Sequence, residues 1–189
     1  MSDLPVSLFF MVTAGVERDR LILLGRACAE GREAEFEYLD VRRQRTRRTV
    51  SVLGLGWRPD GWLFLALCAL RSGVRLFRLD RTEEIRLGQR APRPGLGNFD
   101  PRAFASEALG EGRGPALLVP VSLEPPLSDL AAVLFPQAFV EEVAPGRRVC
   151  HVRASHPQAL GRLIRTLGEG AAIEEFRSNR ATVQSRVSP

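Results

Sequence analysis

The stretch GWLFLALCALRSGVRLFRLDR, residues 61–81, decides how the chain folds. An apolar run from Trp62 to Leu70 breaks at Arg71-Ser72-Gly73, and a second run from Val74 to Leu79 closes with Asp80-Arg81. Two short apolar runs joined by a few residues that include glycine read as a β-hairpin. Alternation places Trp62, Phe64, Ala66 and Cys68 on one face of the first strand and Leu63, Leu65, Leu67 and Ala69 on the other. Both faces are apolar, which puts this strand deep in a sheet or barrel. The second strand is punctuated by Arg75, Arg78 and Arg81, and arginine is rarely buried without a partner. The hairpin is therefore a hydrophobic scaffold that presents guanidinium groups. Arg75 and Arg78 fall on opposite faces of a regular strand, so a bulge or bend is needed to bring both into one site.

Upstream, Val16 to Glu30 has helical periodicity, with Leu21, Leu24, Ala27 and Cys28 on one face and Arg18, Arg26 and Glu30 on the other. Gly31 is a natural stop. Residues 33–39, EAEFEYL, alternate charged with apolar and predict a half-buried strand carrying Ala34, Phe36 and Tyr38 on one side. A turn at residues 40–44 leads into a strand from Thr46 to Leu55, which starts among Arg42, Arg43, Arg45, Arg47 and Arg48. Arg58-Pro59-Asp60-Gly61 is a turn, and Glu83 to Leu87 is a closing strand. One helix and five short strands before residue 90 predict a small SH3-like or Sm-like barrel, whose closure removes exposed edges.

Residues 88–98, GQRAPRPGLGN, are rich in Gly and Pro and read as a linker; Phe99 to Leu109 predicts a short helix behind Asp100 and Pro101. The remainder has its own pattern: a strand 116–123, a short helix 128–134, a hairpin 138–154 across Ala144-Pro145-Gly146, an amphipathic helix from His156 to Leu167 and a last strand from Ala171 to Phe176. That order predicts a ferredoxin-like α/β sandwich, giving an α+β protein overall. The expected division is an N-terminal arm 1–15, a barrel domain 16–90, a linker 91–115, an α/β extension 116–177 and a polar tail 178–189.

All 27 cationic residues are arginine, and the formal net charge is +5. Guanidinium binds phosphate bidentately and stacks on bases, so this balance favours polyanionic partners. A GC-rich genome accounts for the arginine bias equally well, because arginine codons are GC-rich. The three cysteines, Cys28, Cys68 and Cys150, form no CxxC pair and read as reduced core thiols of a cytoplasmic protein. The apolar stretch Val6 to Val12 is too short to span a membrane and lacks the positive start of a signal peptide; it reads as an extra strand, a partner-binding segment or a packing arm. Gly54-Leu55-Gly56 lacks the third glycine and helix of a dinucleotide loop, and there is no P-loop or GxSxG. His151 and His156 stand apart, and no pair of carboxylates makes an acid–base arrangement. A non-enzyme without metal or cofactor is expected.

Helix, strand, strand, Trp-bearing strand and then Arg75-Leu76-Phe77-Arg78-Leu79-Asp80-Arg81 resembles the WYL domain, found in bacterial transcriptional regulators. The family tripeptide falls on Trp62-Leu63-Phe64, Tyr38 matches the tyrosine ending the first strand, and Arg48 and Val50 match the pattern entering the next. Phe99-Asp100 resembles the segment leaving the domain, and residues 116–176 resemble the extension called WCX. Leu63 replaces the family tyrosine, so any contact through that hydroxyl is lost. Residues 1–16 cannot hold a winged helix, which makes the chain similar to a stand-alone WYL protein. The resemblance implies an effector-sensing or nucleic-acid-binding regulator, with single-stranded DNA or RNA or a nucleotide-like ligand as partner.

The candidate contact residues are Tyr38, Arg48, Trp62, Leu63, Arg71, Arg75, Phe77, Arg78 and Arg81. For Arg75, Arg78 and Arg81 a phosphate cradle competes with ion pairing to Asp80, Glu83 and Glu84. Asp80 can orient Arg78 or Arg81 rather than touch a ligand. The Arg42–Arg48 run is either a second contact or a solvated turn, with Arg48 set apart by its match to the motif. Trp62 reads as core before stacking platform, and Tyr38 as either packing or site residue. The alternative function is a non-catalytic interaction module, a homodimer or heterodimer built on the N-terminal segment and the α/β extension.

Overall fold

The computed structural model describes residues 6–90 and 115–174, the side chains of residues 6–16 and of Arg71 excepted. Helix α1, Val6–Glu30, comes first. It starts ten residues before the expected Val16, so residues 6–15 are helical, not the extra strand the apolar stretch also allowed. No proline interrupts residues 6–30, and once a helix is nucleated each further residue adds a backbone hydrogen bond. Leu21, Leu24 and Ala27 are buried, as their periodicity requires.

Five strands follow: β1 Arg32–Leu39, β2 Arg45–Arg58, β3 Gly61–Cys68, β4 Gly73–Arg78 and β5 Thr82–Arg90. They form one antiparallel sheet in the order β4-β3-β2-β1-β5. Three steps separate β1 from β4, about 14 Å in a flat sheet. Yet the rings of Tyr38 on β1 and Phe77 on β4 lie 5.1 Å apart, and those of Phe36 and Phe77 5.6 Å. The sheet is therefore strongly curled. A register shift between Val52 and Gly54 helps bend the long β2. The two edge strands are joined by the single 3-10 turn Leu79–Arg81. Among the described residues β4 and β5 do not pair, so the expected barrel stays an open, curled sheet.

The second half contains β6 Leu117–Leu123, the 3-10 turn Ser128–Leu130 running into α2 Ala131–Leu134, β7 Phe139–Ala144, β8 Arg147–Ala154, α3 Pro157–Thr166 and β9 Ala171–Ile173. Its antiparallel sheet has the order β7-β8-β6-β9. The expected helix at 99–109 and the polar tail lie outside the described residues. The molecule is α+β, an N-terminal helix with two antiparallel sheets. One contiguous hydrophobic core runs through both halves. Trp62 on β3 meets Phe135 after α2 at 6.0 Å. Gly25 lets α1 approach closely, since a Cβ there would stand 2.8 Å from Leu130 Cδ1.

Candidate binding site

Residues directly opposite each other in an antiparallel pair share a face. The pairs Phe36↔Arg48, Val50↔Cys68, Val52↔Ala66, Leu55↔Phe64, Phe64↔Phe77 and Ala66↔Arg75 therefore define one face of the curled sheet. Tyr38 joins it by strand parity and by its contact with Phe77. The fold thus brings Tyr38, Arg48, Arg75 and Phe77 to one side. Arg48 pairs with Phe36, Arg75 is two residues from Phe77, and the two rings touch, so the cations flank the ring pair.

Arg48 is only 8% exposed, and its Nε is buried with no hydrogen-bond partner among the described residues. A buried donor of a charged group left unmatched is costly, and native structures pair nearly all of them. Arg75 is exposed on the edge strand, with no carboxylate partner among the described residues. Phe77 is buried, stacked on Phe64 at 5.2 Å and edge-on to Tyr38, so it supports Tyr38 instead of offering its own face.

The β3–β4 register runs unbroken from Leu63↔Arg78 to Cys68↔Gly73, so no bulge reconciles Arg75 with Arg78. Arg78 sits with Leu63 on the opposite face. Its guanidinium is held by Asp80 at 2.8 and 3.0 Å, by the Asp60 carboxylate, and by the Asp60 carbonyl at 2.9 Å. The hydrogen bonds to Asp80, then those to Asp60, lock it protonated against partial burial. Arg78 in turn holds the Asp60 carboxyl below its ordinary value. Meanwhile the Arg78 backbone N–H donates to Tyr38 Oη at 3.4 Å, so β1 satisfies an edge donor of β4. The anticipated Asp80 pairing is present, while Asp60 escaped notice as anything but a turn residue. Glu83 instead takes Arg45 at 2.7 Å, and Glu84 lies 3.7 Å from Arg86.

Of the other candidates, Trp62 is 3% exposed in the core and Leu63 5% exposed beside Arg78. Arg81 ends the 3-10 turn half-buried, with no partner among the described residues. Arg71 ends the preceding 3-10 turn, and its side chain lies outside the described residues. Within the arginine run, Arg47 pairs with Glu35 at 3.1 Å, whereas Arg42 and Arg43 stay exposed on a turn that Asp40 closes. Among the described residues no cluster of His, Cys, Asp and Glu is arranged to hold a metal ion, and no helix is long and apolar enough to cross a membrane. Cys28, Cys68 and Cys150 form no disulfide.

Residues 19–87 match the family model of the WYL domain. No curated protein matches the chain. Among solved structures, Proteasome accessory factor B/C (PafBC) of Arthrobacter aurescens is similar over 86% of this chain, with 21% identity and a TM-score of 0.40. The match spans 25% of that protein's length.

Proposed function

Since residues 19–87 are a WYL domain, we propose that the chain is a non-catalytic regulatory protein that binds single-stranded nucleic acid or a nucleotide-like effector on the Tyr38–Arg48–Arg75 face. The observation that carries this reading is Arg48: the residue is 8% exposed, and its buried Nε has no hydrogen-bond partner among the described residues, which leaves it for an acceptor that a ligand brings. Arg75 supplies a second, exposed cation on the same face. The two flank a pair of rings, an arrangement suited to a ligand with more than one anionic group. Tyr38 is the ring placed to stack a base, at roughly 1–3 kcal/mol. Arg81 is a candidate third cation, and Arg78 is a positioning residue that fixes Tyr38 and the Asp60 turn.

In finer terms, the curled five-stranded sheet reads as a small barrel of SH3-like type. The order β6-α2-β7-β8-α3-β9 with strands β7-β8-β6-β9 reads as ferredoxin-like. Action on nucleic acid implies a cytoplasmic protein that modulates transcription or a nucleic-acid-processing partner.

Anisotropy titrations of labelled single-stranded DNA, single-stranded RNA and small nucleotides, each at two salt concentrations, test the proposal. Arg48→Met and Arg75→Ala are each expected to weaken binding and to flatten the salt slope by about 0.7 per lost phosphate contact. Unchanged affinity and slope in both variants would refute this face as the site.

A further inference from the structure

The free edge of β4 borders the Tyr38–Arg48–Arg75 face, and its backbone is open. In an antiparallel ladder, opposed residues alternate between pairs that exchange both backbone hydrogen bonds and pairs whose N–H and C=O point away from each other. The Arg78 N–H is spent on Tyr38 Oη, so Leu63↔Arg78 is a pair of the second kind. The β3–β4 register is unbroken, which makes Leu65↔Leu76 and Leu67↔Val74 pairs of that kind too, and Phe64↔Phe77, Ala66↔Arg75 and Cys68↔Gly73 the bonded ones. Since β4 is an edge strand, the N–H and C=O of Val74 and Leu76 point out of the sheet. They find no backbone partner among the described residues. Leu76 lies two residues from Arg78, about 7 Å along the strand, on the edge that Tyr38 reaches. Arg75, exposed, stands between Val74 and Leu76 with its side chain on the face of the site.

The length of this edge says what fits it. Tyr38 closes it at Arg78, and the 3-10 turn Ala69–Arg71 ends it on the other side, which leaves Val74 and Leu76. An added peptide strand draws its affinity from a longer run of main-chain bonds. A nucleobase needs less: its Watson–Crick edge sets a donor beside an acceptor, and one extended residue shows an N–H and a C=O on the same side. Resting on the binding face argued above, we propose that the outward main chain of Leu76, continued by Val74, reads the Watson–Crick edge of a nucleobase stacked on Tyr38, while Arg75 holds the adjoining phosphate. The base belongs either to a free nucleotide or to a single strand. A duplex, whose Watson–Crick edges are already paired, is rejected.

Anisotropy with short labelled oligo-adenine and oligo-thymine or oligo-uracil strands, in DNA and RNA form, tests this on the full chain. These bases present the two opposite orders of donor and acceptor. Their N6,N6-dimethyladenine, N3-methylthymine and N3-methyluracil counterparts keep the rings and phosphates and block the edge. For the strand that binds tightest, methylation is expected to weaken binding about tenfold with an unchanged salt slope. Competition by the matching mononucleotide tells a free nucleotide from a strand. Leu76→Pro deletes the outward N–H without breaking a ladder bond and is expected to cost about as much as methylation. In NMR-detected exchange, the saturating strand is expected to slow the Val74 and Leu76 amides about tenfold and to leave those of Arg75 and Phe77, already bonded to β3, nearly unchanged. A methylated strand that binds as tightly as its parent, or edge amides that exchange as fast with the strand as without it, overturns the proposal and leaves the face standing. If no probe binds, the face and this reading of it fall together. If Leu76→Pro fails to fold, methylation and exchange decide.

Discussion

Arg48 and Tyr38 carry the case for a binding face, and each can be separated from mere structure. A buried cation that serves only packing should be missed when it is lost, whereas replacing a buried charge with an apolar side chain of similar size is often neutral or stabilising. Arg48→Met is therefore expected to melt no lower than wild type while losing its share of anion binding, a combination that thermal denaturation beside anisotropy checks. Tyr38→Phe keeps the ring contacts with Phe77 and Phe36 and removes only the acceptor of the Arg78 N–H. The expected loss is about 0.5–1 kcal/mol in urea unfolding. Glu17 on α1 is half-buried, and burial raises its pKa, while Thr166 and Arg20 oppose the rise and Asp80 reinforces it. A carboxyl whose folded pKa is raised favours the fold when protonated, so that stability is present below the ordinary glutamate range and is lost as pH rises through the raised value. Glu17→Gln should accordingly be more stable than wild type at neutral pH and equal to it in acid, as denaturant titrations across pH would reveal.

Among elements, the β2–β3 and β4–β5 connections are tied into one unit by Arg78. The turn at Asp60-Gly61 demands glycine: Gly61 has φ +140°, and a Cβ there would face the Arg78 guanidinium at 3.6 Å. Asp60→Ala removes one of two carboxylates from that guanidinium and leaves the turn untied. The β2–β3 turn is then expected to exchange its amide hydrogens faster, while the centre of β3 keeps its protection. Because Arg78 lowers the Asp60 pKa, this contribution is present above the ordinary aspartate range and fades as pH falls through the lowered value. An exchange experiment that finds the turn equally protected in wild type and variant would show that Asp80 alone suffices.

For the whole molecule, the shared core makes the two halves one folding unit despite their separate sheets. Phe135 and Trp62 sit where the halves meet. Phe135→Ala is expected to cost about 3–5 kcal/mol, the range for a buried aromatic truncated in a packed core. Trp57 and Trp62 both lie in the first half, so their fluorescence reports on it, while far-UV circular dichroism reports on both. Coincident melting curves are expected, in wild type and in Phe135→Ala alike; a fluorescence transition displaced from the dichroism one would mean that the halves unfold separately.

Local periodicity alone determined most of the elements. Period-two alternation at 33–39 and 62–68 put Phe36, Phe64 and Ala66 inside, and helical spacing at 157–166 buried Leu160, Leu163 and Ile164, because side-chain direction follows from backbone repeat. The opposite orientation of Arg75 and Arg78 was legible for the same reason. Which arginines remain available for a ligand was not. Arg78 is claimed by Asp60, 18 residues away, and Arg45 by Glu83, 38 residues away. Such pairings depend on how far the sheet curls and where its strands register, and no local spacing records either. The curl, the junction at Trp62 and Phe135 and the burial of Arg48 Nε without a partner among the described residues were decided by the tertiary structure, since each requires segments distant in sequence to close around one point in space.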